Sequence, residues 1–308
     1  MALSNILQTY GDSTIKTNIV LNSVEIISAK EDGVFSVLGK TNAINMVHSY
    51  PVDTLLTAAS QAVEQGADFT YTARTTPTLL TNIVEEIAVP LRVTRPQVAV
   101  QHYHGQNELQ RQLQKALTEW SNAAEFDLVR GTLTSGVSGT AATMSGIIQA
   151  ISKSTNTTAH TSGTVFSATI LDGLMQNCWT NSNGDVATDI YVGGAMKRIM
   201  DNFVQKTNSV VNIPDVRGIV RTVTTYETSM GTVTIHKHRY VQQSGDATNR
   251  ILAIRPEKLK VAFLETPMVL DNLTTGGAYY PRAVYGSMTL EVRNQDSNFF
   301  ASGFLLTP

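Results

Sequence analysis

The chain has 308 residues, a formal net charge of −2 and few charged residues, with a single cysteine, Cys178. The near-neutral charge argues against a protein that coats nucleic acid, because phosphate binding needs a concentrated Lys and Arg surface. One cysteine excludes an intramolecular disulfide, and Cys178 lies on an apolar helical stripe, which predicts a buried and inert thiol. No run approaches about 18 consecutive apolar residues, so the sequence predicts no membrane-spanning helix.

The first 32 residues alternate weakly and contain few bulky side chains, so they predict an N-terminal arm that lies on another surface. The stretch from Ala43 to Tyr50 alternates like a strand and is predicted to stop at Pro51. Gly66 to His104 predicts a long two-stranded excursion, because Ala67–Arg74 alternates strictly and prolines interrupt the extended pieces that follow. An isolated two-stranded ribbon is marginal in water, so this one should rest on another surface.

Gly39-Lys40-Thr41 is similar to the end of a phosphate-binding loop, a motif that needs four residues between its glycines. Five residues separate Gly33 from Gly39, and no long helix is predicted after Thr41. The spacing therefore argues against phosphate binding at this position.

The clearest helix runs from Asn107 to Arg130. Asn107 is a good residue to cap its first turn, and Gly131 is predicted to end the helix in the left-handed conformation. Apolar residues recur at steps of three and four along this segment and predict one buried stripe. Its predicted core positions are Leu109, Leu113, Leu117, Trp120, Ala124 and Leu128.

The second half of the chain predicts an α/β unit followed by strands. Ser167–Thr180 is amphipathic, Asp189–Val192 is a short apolar strand, and a third helix runs to about Val204. The segments 218–226 and 231–238 predict a hairpin. The closing strands are predicted at 251–254, 259–264, 283–293 and 299–306, with the last two forming a hairpin through Asn294–Asn298.

His236 and His238 alternate on the strand predicted after Gly231, and with a third ligand they could bind zinc. The sequence supplies no neighbouring cysteine or second histidine pair, so solvated strand histidines are the interpretation that we favour. No credible nucleophile–base pair, metal site or cofactor site is present in the pattern, and we expect no enzymatic activity and no cofactor.

The order of elements, together with local stretches, resembles the major capsid proteins of tailed bacteriophages with the Hong Kong 97-type fold. The stretches are VEQGADFTYTARTTPTLLTN, HYHGQNELQRQLQKALTEWSNAAEFDLVRG and YGSMTLEVRNQ. The resemblance implies an α+β chain with an N-terminal arm (1–33), an extended β-loop (66–104), a spine-helix peripheral domain and an α/β axial domain (162–250). The peripheral domain would comprise residues 34–65, residues 105–161 with the spine helix at 107–130, and closing strands at 251–308. The inter-subunit residues of the extended loop would include Phe69, Tyr71, Arg74, Leu91 and Arg92.

The resemblance implies a structural protein that self-assembles as hexamers and pentamers into an icosahedral shell around double-stranded phage DNA. It further implies assembly in the bacterial cytoplasm with a separate scaffolding protein and a portal, a place for a decoration protein, and only non-specific contact with DNA. The prototype shells are cross-linked through a lysine on the extended loop, whereas this chain has no lysine between Lys40 and Lys115.

Two alternatives remain open at this point. A bacterial encapsulin nanocompartment has the same fold but encloses a cargo enzyme, and its contents would distinguish it from a phage shell. A hydrolase or nucleotide-using enzyme is the alternative from another class, which incubation with nucleotides and ester substrates would test.

Overall fold

The computed structural model describes residues 33–56, 58–69, 71, 73–100, 107–152, 156–206, 225–243, 245–271, 273–274 and 277–305. The helices are α1 Gly33–Val37, α2 Arg95–Ala99, α3 Glu108–Arg130, α4 Ile147–Ser152, α5 Ala168–Asn181 and α6 Gly194–Lys206. The first six strands are β1 Gly39–Asn42, β2 Val47–Val52, β3 Thr78–Ile83, β4 Glu85–Thr94, β5 Thr157–Thr164 and β6 Asp189–Val192. The others are β7 Thr225–Thr228, β8 Gly231–Lys237, β9 Asn249–Ile254, β10 Leu259–Leu270, β11 Tyr279–Val292 and β12 Phe299–Phe304. The predicted arm and the first part of the predicted 218–226 strand lie outside the described residues.

The strands form two main sheets and one separate ribbon. The four-stranded sheet has the order β1-β10-β11-β4, with β1 parallel to β10 and the other pairs antiparallel. The six-stranded sheet has the order β5-β12-β9-β6-β8-β7 and mixes parallel and antiparallel pairs. The ribbon consists of β2 and β3 alone. The chain is therefore α+β, as the sequence predicts.

The inner strand β9 of the six-stranded sheet is buried on both faces, which explains its continuous apolar run. Leu252 and Ile254 pack into the cluster that contains α3, whereas Ile251 and Ala253 pack into the cluster formed with α5 and α6. Successive side chains of a strand point to opposite faces, so one strand serves both cores. The helix α3 packs on β4 and β11 of the four-stranded sheet and shares its core with the underside of the six-stranded sheet.

This arrangement corrects the prediction that residues 251–308 close the peripheral domain and end in a hairpin. Strands β10 and β11 join the four-stranded sheet, but β9 and β12 join the six-stranded sheet. The predicted turn through Asn294–Asn298 is instead a crossing between sheets. Asn298 is fully buried there; its Oδ1 accepts from the Arg255 N–H at 2.8 Å, and its Nδ2 donates to the Asn294 carbonyl at 2.8 Å. An alternating pattern identifies each strand but does not say which sheet it joins.

The predicted excursion from Gly66 to His104 is also wrong at both ends. The ribbon is formed by β2 and β3, and β2 runs through Pro51 to Val52, which is tolerated because each strand of a ribbon is an edge. Strand β4 lies in the four-stranded sheet, where its Pro90 also occupies an edge strand. The segment Ala67–Arg74 forms no strand in its described residues. The connection between the two strands of the ribbon is therefore the loop 53–77.

The helix α3 begins as the sequence predicts but ends differently. The Asn107 side chain accepts from the Leu109 N–H at 2.9 Å. Gly131 has φ −50° and ψ 138°, which is not the left-handed conformation. Glycine is required at position 131 for steric reasons instead. A Cβ there would lie 2.4 Å from the Asp127 carbonyl oxygen and 2.8 Å from the Met144 carbonyl oxygen.

Candidate assembly interface

The loop 53–77 exposes large apolar side chains, and a hydrogen bond joins its two ends at the neck. Phe69 is 74% exposed and Tyr71 is 93% exposed, whereas a monomeric surface seldom carries such a concentration of bare aromatic residues. At the neck, the Thr75 hydroxyl donates to the Thr54 carbonyl at 3.0 Å. Phe69, Tyr71 and Arg74 are thus exposed on the same loop, and their role as inter-subunit contacts stays a prediction.

Buried polar side chains fix the root of this loop to β11. The Tyr50 hydroxyl accepts from the Val292 N–H at 3.1 Å, and His48 Nε2 lies 2.7 Å from a carboxylate oxygen of Glu291. Burial raises the pKa of Tyr50, so the phenol stays protonated. Asn82 donates to the Leu290 carbonyl at 2.8 Å and accepts from the Ser145 N–H at 2.9 Å. The loop therefore projects from a root whose orientation the subunit determines.

The other two predicted interface residues lie on β4 and not in the loop. Leu91 is half-buried and packs against the subunit's own core. The Arg92 guanidinium lies 5.5 Å from the centroid of the Tyr279 ring, across the β4–β11 pair. Their assignment to the extended loop is corrected because the four-stranded sheet already provides the partner surface that an isolated ribbon would need.

The predicted stripe of α3 is correct for most positions. Trp120, Ala124 and Leu128 are buried, and Leu109 and Leu113 are half-buried, but Leu117 is 45% exposed. The Trp120 indole N–H donates to the Ile87 carbonyl at 3.0 Å, which joins the helix to β4. Leu117 lies to one side of the buried face of α3, so it is a surface residue and not one of the predicted core residues.

A fully buried carboxylate joins α3 to α1 and to the residues after β8, and the helical pattern does not predict it. Glu125 Oε1 accepts from the Val34 N–H at 2.7 Å, and Oε2 accepts from the Phe35 N–H at 2.7 Å. His238 Nε2 lies 2.6 Å from Oε1, and both side chains have no exposed surface. Three donors therefore satisfy the Glu125 carboxylate where the two main sheets meet α3.

The hydrogen bonds of His238 define its tautomer. Its Nδ1 accepts from the Tyr240 N–H at 3.3 Å, so the proton lies on Nε2 and is donated to Glu125. The Tyr191 ring packs edge-on against His238 and stacks on His236, whose Nε2 lies 2.9 Å from Asp189. His238 is thus buried and not solvated, which corrects the favoured interpretation. In the described ranges, no group of three His, Cys, Asp or Glu side chains is arranged to hold a metal.

A second buried carboxylate lies where β4 meets the turn before α4. Glu85 Oε2 accepts from the Met144 N–H at 3.1 Å. Burial raises the pKa of Glu85 to about 7; the Met144 hydrogen bond opposes the rise and the charge of Asp127 adds to it. Burial also raises the pKa of Asp127 to about 6. These two acidic groups titrate near neutral pH.

The residues whose sequence patterns suggested enzyme chemistry have structural roles. Gly39-Lys40-Thr41 belongs to β1, an edge strand paired with β10, and does not form a phosphate-binding turn. Cys178 is buried on α5, and burial raises the pKa of its thiol to about 11, so the reactive thiolate is suppressed. Across the described helices, none is long and apolar enough to cross a membrane.

The family model of the SU10 major capsid protein matches residues 7–304, nearly the whole chain. The chain belongs to this family. It is therefore a structural major capsid protein of the tailed-phage type that forms oligomeric shells, and it is not an enzyme. A search of curated proteins found no match.

Solved structures agree with the fold of this capsid protein. It is similar to a protein of Mycobacterium phage Adephagia with a TM-score of 0.65 and 14% identity, covering 98% of this chain and 99% of that one. The capsid of Myoviridae phage XM1 gives a TM-score of 0.63 and 12% identity, with coverage of 98% and 100%. The SrpI encapsulin of Synechococcus elongatus gives 0.60 and 11%, with coverage of 93% of each chain. These likenesses support the Hong Kong 97-type fold that the sequence resembles.

Proposed function

We propose that this capsid protein assembles as hexamers and pentamers into an icosahedral shell that encloses double-stranded DNA, within the cytoplasm of a host bacterium. The observation that carries the proposal is the loop 53–77, whose aromatic side chains lie bare on a projection with a fixed root. A neighbouring subunit in a closed shell provides the surface that would cover Phe69 and Tyr71. The exposed Arg74 then lies at the rim of that contact.

In this proposal the two sheets have different positions in a capsomer. The four-stranded sheet with α3 forms the peripheral domain, and the six-stranded sheet with α5 and α6 forms the axial domain near the symmetry centre. Residues 1–33 form the arm. The shared core under α3 supports the idea that each subunit enters the shell as one rigid unit.

The net charge of −2 suits a shell that tolerates packed DNA and does not bind it tightly. We infer that the remaining partners are a separate scaffolding protein, a portal and, on the outer surface, a decoration protein. Contact with DNA is non-specific.

The alternative is an encapsulin-like compartment, because the SrpI encapsulin has a similar fold. The contents of the particles distinguish the two functions. Particles isolated from phage-infected cells are treated with nuclease, opened, and analysed for nucleic acid and protein. Nuclease-protected double-stranded DNA of uniform length is expected for a phage shell, whereas particles filled with one cargo enzyme and no DNA would establish the compartment.

A further inference from the structure

An open groove lies beside β1, at the edge of the four-stranded sheet. Its volume is about 530 Å³, and it is lined by Phe35, Lys40, Thr41, Asn42, Phe263, Thr266 and Pro267. Aromatic rings form its apolar part, since Phe35 packs edge-on against Phe263 at a centroid distance of 6.1 Å. The Lys40 ammonium lies 5.4 Å from the centroid of the Phe35 ring and so provides a positive charge at the groove.

The same groove contains backbone groups of an edge strand that have no hydrogen-bond partner among the described residues. The Ala43 N–H donates to the Phe263 carbonyl at 2.8 Å, which fixes the odd-numbered residues of β1 as those facing β10. Lys40 and Asn42 must then direct their backbone N–H and C=O groups away from the sheet, because alternate residues of a strand face opposite neighbours. An edge of this kind accepts an added strand.

Exposed apolar side chains precede and follow β1 in the sequence. Val37 is 49% exposed just before β1, and Ile44 is 86% exposed just after it. An open strand edge, an apolar groove and two bare aliphatic residues are the features of a surface that another segment covers.

We propose that the chain's own N-terminal segment, within Met1–Asp32, covers this groove and adds a strand to β1. This segment is followed directly by Gly33, the first residue of α1, and Phe35 two residues later lines the groove. Glu125 holds the N–H groups of Val34 and Phe35, so the point where the segment leaves the subunit is fixed. Six extended residues reach about 20 Å, enough for residues near Ile27 to enter the groove.

The composition of the segment matches the groove. Ile19-Val-Leu21 and Val24-Glu-Ile-Ile27 are short strand-forming runs with aliphatic side chains. The segment carries more acidic than basic side chains, which suits the Lys40 ammonium. Its charged residues are Asp12, Lys16, Glu25, Lys30, Glu31 and Asp32.

Hydrogen exchange on the unassembled subunit tests this docking. The full chain is compared with a variant lacking residues 2–27 and with the full-length variant Ile26→Asp/Ile27→Asp, each checked for folding by circular dichroism. We expect the amides of Lys40 and Asn42 to exchange at least tenfold more slowly in the full chain than in both variants. The amides of β5, an edge strand of the other sheet, should exchange equally in all three and serve as the internal control.

Two results would overturn the proposal. Equal exchange at Lys40 and Asn42 in the three proteins would show that the segment does not cover β1. Protection that appears in the truncated chain only after full-length chain is added would assign the groove to a segment from a second copy. Asn42→Pro, which removes one outward N–H, provides the reverse test: it should speed exchange at residues 24–27 in the full chain, and unchanged exchange there would also contradict the docking.

Discussion

At the scale of single residues, Glu125 is the side chain on which the centre of the subunit most depends. Its carboxylate is the acceptor for two backbone N–H groups and for the His238 imidazole, and the Glu125 and His238 side chains have no exposed surface. The helical pattern could not reveal this, because a glutamate within an amphipathic helix is ordinarily assigned to the solvent face. A weak signal exists: Glu125 follows buried Ala124 and precedes Leu128 by three residues, so it borders the apolar stripe.

We expect Glu125→Ala to destabilise the subunit by at least about 3 kcal/mol, because three buried donors would each lose a partner at about 1–3 kcal/mol. Glu119→Ala is the matched control on the same helix, since Glu119 is about half exposed and forms an ion pair with exposed Lys115. Chemical denaturation of the unassembled subunit measures both. Equal stability of the two variants would contradict the importance of the Glu125 junction.

The acidic pair Glu85 and Asp127 predicts how stability depends on pH. The pKa of Glu85 is raised to about 7 in the folded state, above the ordinary value of 4.5, so the folded protein binds this proton more tightly than the unfolded chain. The resulting stability is present below pH 4.5 and is lost as the pH rises towards 7, with Asp127 adding to the loss up to pH about 6. At about 1.4 kcal/mol per pKa unit, the Glu85 contribution is roughly 3 kcal/mol.

Glu85→Gln should flatten this pH dependence, because the amide oxygen still accepts from the Met144 N–H but cannot ionise. We expect the variant to gain stability relative to the parent at pH 8 and not at pH 4.5. Thermal unfolding at pH values from 4.5 to 8 measures the difference. Parallel curves for parent and variant would show that Glu85 is not the group that titrates.

At the scale of elements, the sequence predicts the existence of most helices and strands but not their pairing. The cap at Asn107 and the stripe through Trp120 and Leu128 identify α3 from local rules alone. Strands β11 and β12 are equally clear as strands, yet they join different sheets. Strand pairing depends on contacts between distant residues, such as Asn298 with Arg255, and no local pattern encodes them.

The two faces of α3 give a matched test of its packing. Trp120→Ala should cost about 3–5 kcal/mol, because it opens a cavity in the core and leaves the Ile87 carbonyl without its donor. Leu117→Ala should change the subunit's stability by less than about 0.5 kcal/mol, since Leu117 is 45% exposed. Denaturant unfolding of both variants measures these values. A large loss for Leu117→Ala would show that the exposed face is covered within the subunit.

At the scale of the whole molecule, the resemblance to capsid proteins could be stated from the sequence, and the family match confirms it. The bounds of the loop 53–77 could not be predicted, since Ala67–Arg74 alternates like a strand but pairs with no strand in the part of the chain that the structure describes. We infer that its pattern suits a surface outside the subunit. A sequence pattern shows that a segment needs a partner without showing whether that partner lies in the same chain.

The lack of lysine between Lys40 and Lys115 predicts that neighbouring subunits are not joined covalently through the loop. We expect shells boiled in detergent to run as a single band of about 33.4 kDa, the mass of one chain. Denaturing electrophoresis of purified particles provides the measurement. A ladder at multiples of that mass would mean that another residue forms the cross-link.

The role of the loop 53–77 between subunits is tested most directly by asking whether shells close when the loop is shortened. Replacing Leu55–Arg74 with a four-residue Gly-Ser linker keeps Thr54, Thr75 and all strands, whereas a deletion reaching Leu91 would cut β4 out of the core. Sedimentation velocity and electron microscopy measure shell closure, and circular dichroism establishes that the subunit is folded. The double variant Phe69→Ser/Tyr71→Ser, which keeps the full length of the loop, is measured in parallel. We expect closed particles from the parent chain, a folded subunit that forms none after the replacement, and impaired closure for the double substitution. Normal closed particles from the shortened chain would contradict this role of the loop.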